Sequence, residues 1–163
     1  MSVFLLMKLL HIASAMWLVG GLFARFLALG AASRSGDIRT TQALTELAGR
    51  FENRMVIPAS MSLLVTGILA ALLGGFPLLG PVQGGPWWLL VSLLLYSATI
   101  VLVPTVFLPR GRIFGAALDD AVARNEVTPG LRAAFADRVV ARSHSAEFIG
   151  IAVIVVLMVL KPF

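Results

Sequence analysis

The chain has 163 residues, of which 59 % are hydrophobic and 13 % charged, and its formal net charge is +5. Its mean hydropathy is +0.96. Soluble domains carry about 25 % charged residues, so this sequence has too few charges to cover a water-exposed surface, and one integral membrane domain is predicted. The basic residues lie between apolar runs without interleaved aromatic residues, which argues against nucleic-acid binding. The absence of cysteine excludes disulfide bonds, thiolate zinc sites and iron–sulfur clusters.

Four stretches are apolar enough to cross a hydrocarbon core about 30 Å thick, which takes about 20 helical residues. They cover about residues 3–29, 55–73, 87–108 and 140–160. No basic segment precedes the first stretch and Lys8 interrupts it, so we expect a retained transmembrane helix rather than a cleaved signal peptide. Pro104 is expected to kink the lower end of the third span.

The connections 30–54 and 109–140 are expected to be largely helical. Asp37 has the residue type of a helix N-cap. Thr128 and Pro129 together match an N-cap followed by proline at the first helical position, and this helix is expected to run to Leu160. The predicted fold is therefore all-α, an integral membrane antiparallel four-helix bundle with helical cytoplasmic extensions.

The arginines predict the orientation. Residues 30–54 and 109–147 are basic, whereas the connection 74–86 has no Lys or Arg; the arginines are Arg34, Arg39, Arg50, Arg54, Arg110, Arg112, Arg124, Arg132, Arg138 and Arg142. Since Lys and Arg are concentrated in cytoplasmic loops, the basic connections are predicted to lie inside the cell. Both termini are then predicted to lie outside.

One histidine lies within the first span. His11 shares one side of the helix with Arg25, and a count of helical rise from the outer ends puts Thr66 and Tyr96 at the same depth. A neutral imidazole there can bind haem iron or another metal, relay a proton, or hydrogen-bond Thr66 or Tyr96. Lys8 can pair with a haem propionate or extend to lipid headgroups.

A second polar cluster precedes the last apolar run. His144 and Glu147 are three residues apart, so they share a helix face. The fourth span needs this segment to reach full length, which puts a carboxylate within the membrane, where it must be paired or protonated. Arg25 and Arg54 are the candidate partners. The cluster is interpreted either as a structural ion pair or as a proton relay.

Two segments carry a family resemblance. Residues 8–23 read K-L-L-H-I-A-S-A-M-W-L-V-G-G-L-F, and residues 151–163 read I-A-V-I-V-V-L-M-V-L-K-P-F. They resemble the small bacterial membrane proteins grouped around HemJ, a protoporphyrinogen oxidase, and the CopD domain of copper-resistance proteins. The chain looks closest to a related family of predicted integral membrane proteins.

The resemblance implies a multi-pass protein of the bacterial inner membrane that binds b-type haem through His11. Lys8, Tyr96 and Arg25 would support the haem. The third span lacks the Lys and His residues of HemJ-like proteins, and Ala146 replaces the asparagine of their Asn-Glu pair while Glu147 is kept. The resemblance therefore implies haem binding more directly than oxidase activity, and whether the protein is an enzyme is left open.

Two functions of different class are predicted. The first is a haem- or porphyrin-binding redox protein that uses His11. The alternative is a non-catalytic accessory or scaffold subunit of a larger respiratory or photosynthetic membrane complex. The expected partners are the lipid bilayer and either other subunits or further copies of the chain. A transporter or copper-handling role is less favoured, because only one carboxylate lies in a span and the methionines do not cluster.

Overall fold

The computed structural model describes residues 2–162, which contain seven α-helices and no β-strand. The helices are α1 (Val3–Arg34), α2 (Ile38–Phe51), α3 (Ile57–Leu73), α4 (Trp87–Leu102), α5 (Leu108–Ala123), α6 (Pro129–Phe135) and α7 (Arg138–Leu160). One 3₁₀ turn, Gly80–Gln83, lies in the connection before α4. The predicted all-α fold is confirmed.

Four helical stretches are long and apolar enough to cross a membrane, namely Val3–Arg34, Ile38–Leu73, Trp87–Ala123 and Pro129–Leu160. Many of their large apolar side chains are exposed; Met16 and Val159, for example, are 73 % and 72 % exposed. Lipid tails tolerate such a surface, and a helix satisfies its backbone polar groups internally. The four stretches are compatible with a helical bundle in a membrane.

Two predicted helix caps are confirmed. The Asp37 carboxylate accepts a hydrogen bond from the Thr40 backbone N–H at 2.8 Å, and the Thr128 hydroxyl oxygen accepts one from the Leu131 N–H at 3.2 Å. Each cap satisfies a backbone donor that has no partner within its own helix. Both caps depend only on neighbouring residues, which is why the sequence predicts them.

Two predicted boundaries are revised. The first helix continues to Arg34, beyond the predicted end near residue 29. The helix predicted from Pro129 to Leu160 is divided in two, because Asp137 adopts an extended conformation and its carboxylate accepts from the Val139 N–H at 2.8 Å, which starts α7. Arg110 of α5 also donates to the Asp137 carboxylate at 2.8 Å.

Two π-helical turns interrupt the second and third long stretches. The first π turn is Glu52–Val56 and the second is Val103–Phe107. Each is followed at the second position by a proline, Pro58 or Pro109. A proline inside a helix lacks the N–H and clashes with the carbonyl four residues earlier, and a wider turn moves that carbonyl away. Pro104 lies within the second π turn, and the kink expected there stays a prediction.

The chain forms two compact units. The first comprises residues up to Phe76 together with 124–127, and the second comprises 77–123 and 128 onward. In the first unit, α1 packs against both α2 and α3, and Leu22 is fully buried. In the second unit, α4 packs against α7, where Gly150 lies beside Thr99.

Candidate functional site

His11 lies on the side of α1 that faces α3 within the first unit, and it is half-buried. Its Nδ1 atom lies 3.1 Å from the backbone carbonyl oxygen of Leu63. A carbonyl oxygen can only accept, so this contact requires the proton on Nδ1. In a neutral imidazole this leaves the lone pair on Nε2, which is the form that binds metals.

The Thr66 hydroxyl supports the same assignment. Its oxygen lies 3.4 Å from His11 Nδ1, and the hydroxyl donates to the Ser62 carbonyl at 2.6 Å. Because the hydroxyl proton is used by Ser62, the oxygen presents a lone pair to the imidazole. The predicted proximity of His11 and Thr66 is confirmed, and both acceptors favour a protonated Nδ1.

A second polar link joins α1 and α3 one turn further along. The Ser14 hydroxyl donates to the Leu10 carbonyl at 2.8 Å, and the Ser14 and Ser62 hydroxyl oxygens are 2.7 Å apart. Ser14 is buried, so its hydroxyl forms these hydrogen bonds in place of hydrogen bonds to water. The two links fix the rotation of α1 relative to α3, and with it the direction of the imidazole.

Gly67 allows the imidazole to approach α3 closely. A Cβ atom at this position would lie 2.8 Å from His11 Cε1 and 3.0 Å from Nδ1. Both distances are shorter than ordinary van der Waals contact. The ring therefore occupies the space that any other residue type at position 67 would fill.

The candidate ligand at this site is the His11 imidazole. Within residues 2–162, no group of three or more His, Cys, Asp or Glu side chains could hold a metal ion. Haem needs few protein ligands, and a single axial histidine is a common arrangement. Metal-binding histidines typically donate their other ring N–H to a carbonyl or carboxylate, as His11 does to Leu63.

The other residues predicted to support His11 are placed as follows. Lys8 lies three residues before His11 on α1 and is exposed. Tyr96 is buried on α4, in the second unit, and its proximity to His11 stays a prediction. Arg25 lies 14 residues after His11 on α1, about 21 Å along the helix axis.

Arg25 is 8 % exposed, and its guanidinium pairs with the Glu52 carboxylate at 2.5 Å. Glu52 is the first residue of the first π turn, so this ion pair joins α1 to the irregular part of the second long stretch. The sequence patterns above do not identify Glu52 as the partner of Arg25. The available signal was a carboxylate at the border of an apolar run, at the same membrane edge as Arg25.

The second polar cluster lies in the second unit. His144 Nδ1 is 3.3 Å from Glu147 Oε2, which confirms the predicted shared face. The His144 ring stacks on Phe107 with centroids 4.6 Å apart, and Glu147 is 9 % exposed. Phe107 is the last residue of the second π turn. The predicted pairing of Glu147 with Arg25 or Arg54 stays a prediction.

Comparison with known proteins gives one match. A family model described as "Predicted integral membrane protein (DUF2269)" matches residues 5–162. No curated protein and no solved structure is detectably similar to the chain. The match covers all four membrane-compatible helices and both polar clusters.

Proposed function

The chain belongs to the DUF2269 family of predicted integral membrane proteins, and from this premise we propose that it binds a b-type haem, or a related porphyrin, through His11 and acts in a membrane redox reaction. One observation carries the proposal, the 3.1 Å contact between His11 Nδ1 and the Leu63 carbonyl oxygen. In the neutral imidazole this contact leaves Nε2 as the unprotonated nitrogen, and it orients the ring through a backbone group that cannot move independently of α3.

The residues of this chain would act on the haem in two ways. His11 Nε2 would bind the iron, and the hydrogen bond from Nδ1–H to Leu63 would raise the electron donation of the ring. Lys8 is one turn nearer the N-terminus, where its ammonium group would neutralise a propionate. A bound haem would supply one-electron transfer.

The resemblance of residues 8–23 and 151–163 to HemJ-like and CopD-like proteins supports the same proposal. It includes the histidine that corresponds to His11 here and favours a bacterial inner membrane location, while the basic connections favour both termini outside. Arg25 enters as a structural residue, because its guanidinium is engaged by Glu52.

The visible absorption spectrum tests the proposal. The protein is purified after expression with haem supplied, and the spectrum of the wild type is compared with those of His11→Ala and His144→Ala. We expect a Soret band in the wild type and in His144→Ala, and its loss in His11→Ala. The chain has two histidines, so His144→Ala is a matched control. A wild type without a Soret band, or an unchanged spectrum in His11→Ala, contradicts the proposal.

A second candidate function is a non-catalytic accessory subunit of a larger membrane complex. It is favoured by apolar side chains on α5, where Ile113 is 61 % exposed and lies between Arg112 and Arg124 in the basic connection. Exposed apolar side chains next to charged residues are typical of protein contacts. Purification of the wild type and of Ile113→Ser in a mild detergent tests this candidate. Partner proteins that copurify with the wild type and are lost in Ile113→Ser support it. If both proteins migrate alone, the candidate is wrong.

A further inference from the structure

Gly67 differs from the neighbouring glycines in what occupies the space beside it. A Cβ at Gly20 would have Met55 Cε as its nearest contact, at 4.0 Å. At Gly21 it would lie 2.8 Å from Met55 Cβ and 3.3 Å from the Val56 nitrogen, so Gly21 serves the packing of α1 on the second long stretch. At Gly67 the three nearest atoms from outside its own helix backbone all belong to the His11 ring.

The position of Gly67 on α3 also places it beside the carbonyl that accepts from His11. Gly67 lies four residues after Leu63, so its N–H is the α-helical hydrogen-bond donor to the Leu63 carbonyl. The same carbonyl accepts from His11 Nδ1. The imidazole reaches that carbonyl by passing over the Gly67 Cα. Of the three nearest ring atoms, Nε2 is farther from a Cβ at this position, at 3.7 Å, than Cε1 at 2.8 Å or Nδ1 at 3.0 Å.

We infer that Gly67 is a positioning residue for His11: its lack of a side chain admits the imidazole to the Leu63 carbonyl, fixes the proton on Nδ1 and leaves Nε2 as the coordinating atom. The inference concerns the imidazole itself, and its meaning for haem rests on the proposed function. An alanine at position 67 displaces the ring from α3, which breaks the hydrogen bond and releases the tautomer.

The first test uses haem-free wild-type protein. Nitrogen NMR of protein labelled with ¹⁵N-histidine, in lipid nanodiscs at a pH where the ring is neutral, reports which ring nitrogen carries the proton. The His11 signal is assigned by its loss in His11→Ala. We expect a single tautomer protonated at Nδ1. A His11 protonated at Nε2, or an equal mixture of tautomers, overturns the inference without any change at position 67.

The second test compares three alanine variants. Gly67→Ala is expected to lose the single tautomer, while Gly20→Ala is expected to keep it. Gly21→Ala disturbs helix packing without touching the ring, so it separates positioning from loosened packing. If Gly21→Ala changes the tautomer as much as Gly67→Ala does, or if folded Gly67→Ala keeps it, the inference is wrong.

Haem affinity gives an independent measurement. If the proposed function holds, Gly67→Ala is expected to bind haem about 10- to 100-fold more weakly than Gly20→Ala, the usual effect of removing the hydrogen-bond partner of a ligating histidine. A haem-binding wild type in which Gly67→Ala has unaltered affinity overturns the inference and leaves the proposed function intact. A wild type that shows the Nδ1–H tautomer but never binds haem overturns the proposed function and leaves the inference intact.

Discussion

Arg25 shows how a cation is kept inside an apolar helix. Its guanidinium is nearly enclosed, and the Glu52 carboxylate beside it is one-third exposed. Removing one member of an enclosed pair costs more than the pair contributes, because the remaining charge keeps its desolvation cost. The energetic importance of this pair is therefore best measured as a coupling between the two side chains.

Glu52→Gln is expected to lower the free energy of unfolding by about 1–3 kcal/mol, since the Arg25 charge loses its anionic neighbour. Arg25→Met is expected to be destabilising as well, and the double variant to lose less than the sum of the two. The measurement is equilibrium unfolding in mixed micelles. Strictly additive losses would show that the two side chains are not coupled.

Asp37 supplies a pH dependence outside the spans. Hydrogen bonds from the Thr40 hydroxyl, and then from the Thr40 N–H, hold the pKa of Asp37 below its ordinary value. A carboxyl with a lowered pKa stabilises the fold above its unfolded-state pKa, about 3.9, and this contribution is lost as the pH falls through its folded-state pKa. The first turn of α2 is therefore expected to fray in acid.

Hydrogen exchange of the first-turn amides of α2 tests this expectation. After correction for the intrinsic rates, the protection of Thr40 is expected to fall as the pH drops below 4. In Asp37→Asn the acid-induced loss is expected to disappear, because the amide side chain does not titrate in this range. An equal acid-induced loss of protection in Asp37→Asn would assign the effect to another group.

At the scale of the elements, both π turns lie two residues before a proline. In the second turn the Leu108 N–H donates to the Val103 carbonyl, five residues back, and in the first the Ile57 N–H donates to Glu52 in the same way. The second turn contains a further proline, Pro104. Pro104 has no N–H to donate to the Ile100 carbonyl, which accepts from the Val103 N–H instead.

Pro109→Ala is expected to convert the second π turn into an α-turn, because the restored N–H can donate to the Thr105 carbonyl. The conversion rotates α5 by about 100° relative to α4. Spin labels at cysteines introduced at Ser97 and Ala116, both exposed, would report it as a change of several ångström in their separation.

Pro104→Ala serves as the comparison for this variant. A smaller change is expected, since Ile100 already has a hydrogen-bond partner. Identical label distances in Pro109→Ala and the wild type would show that Pro109 does not impose the π turn.

At the scale of the whole molecule, the basic residues predict the orientation in the membrane. The chain contains no native cysteine, so single cysteines can be introduced without background. Val82→Cys, in the connection without Lys or Arg, is expected to react with a membrane-impermeant maleimide on intact cells. Ala133→Cys, in α6, is expected to react only after permeabilisation. Reaction of Ala133→Cys on intact cells would contradict the predicted topology.

Much of this architecture could be predicted from the sequence because its causes are local. Apolar length predicts the four membrane-compatible stretches, and the side chains of Asp37 and Thr128 predict their own helix starts. The path of the chain at Asp137 could not be predicted in this way. Its carboxylate both caps α7 and accepts from Arg110, 27 residues earlier, and such a distant contact leaves no local pattern.

The candidate site was predictable in its residues and not in its geometry. His11 and Thr66 were expected at one depth by counting helical rise, and they are within 3.4 Å. The main acceptor, the Leu63 carbonyl, is a backbone group that every residue type possesses, so no sequence pattern points to it. The residue that permits this contact is Gly67, which has no side chain and lies one position after Thr66.

The two π turns also determine how such sequences should be aligned. Each π turn contains one residue more than an α-turn. The helix faces before and after it therefore align as they would in an α-helix from which that residue had been deleted. A single-residue gap between relatives is therefore harmless within Glu52–Val56 or Val103–Phe107. The same gap within Ile57–Leu73 would turn Thr66 and Gly67 away from His11, so we expect alignment gaps to collect at the wide turns and to spare the segment that receives the imidazole.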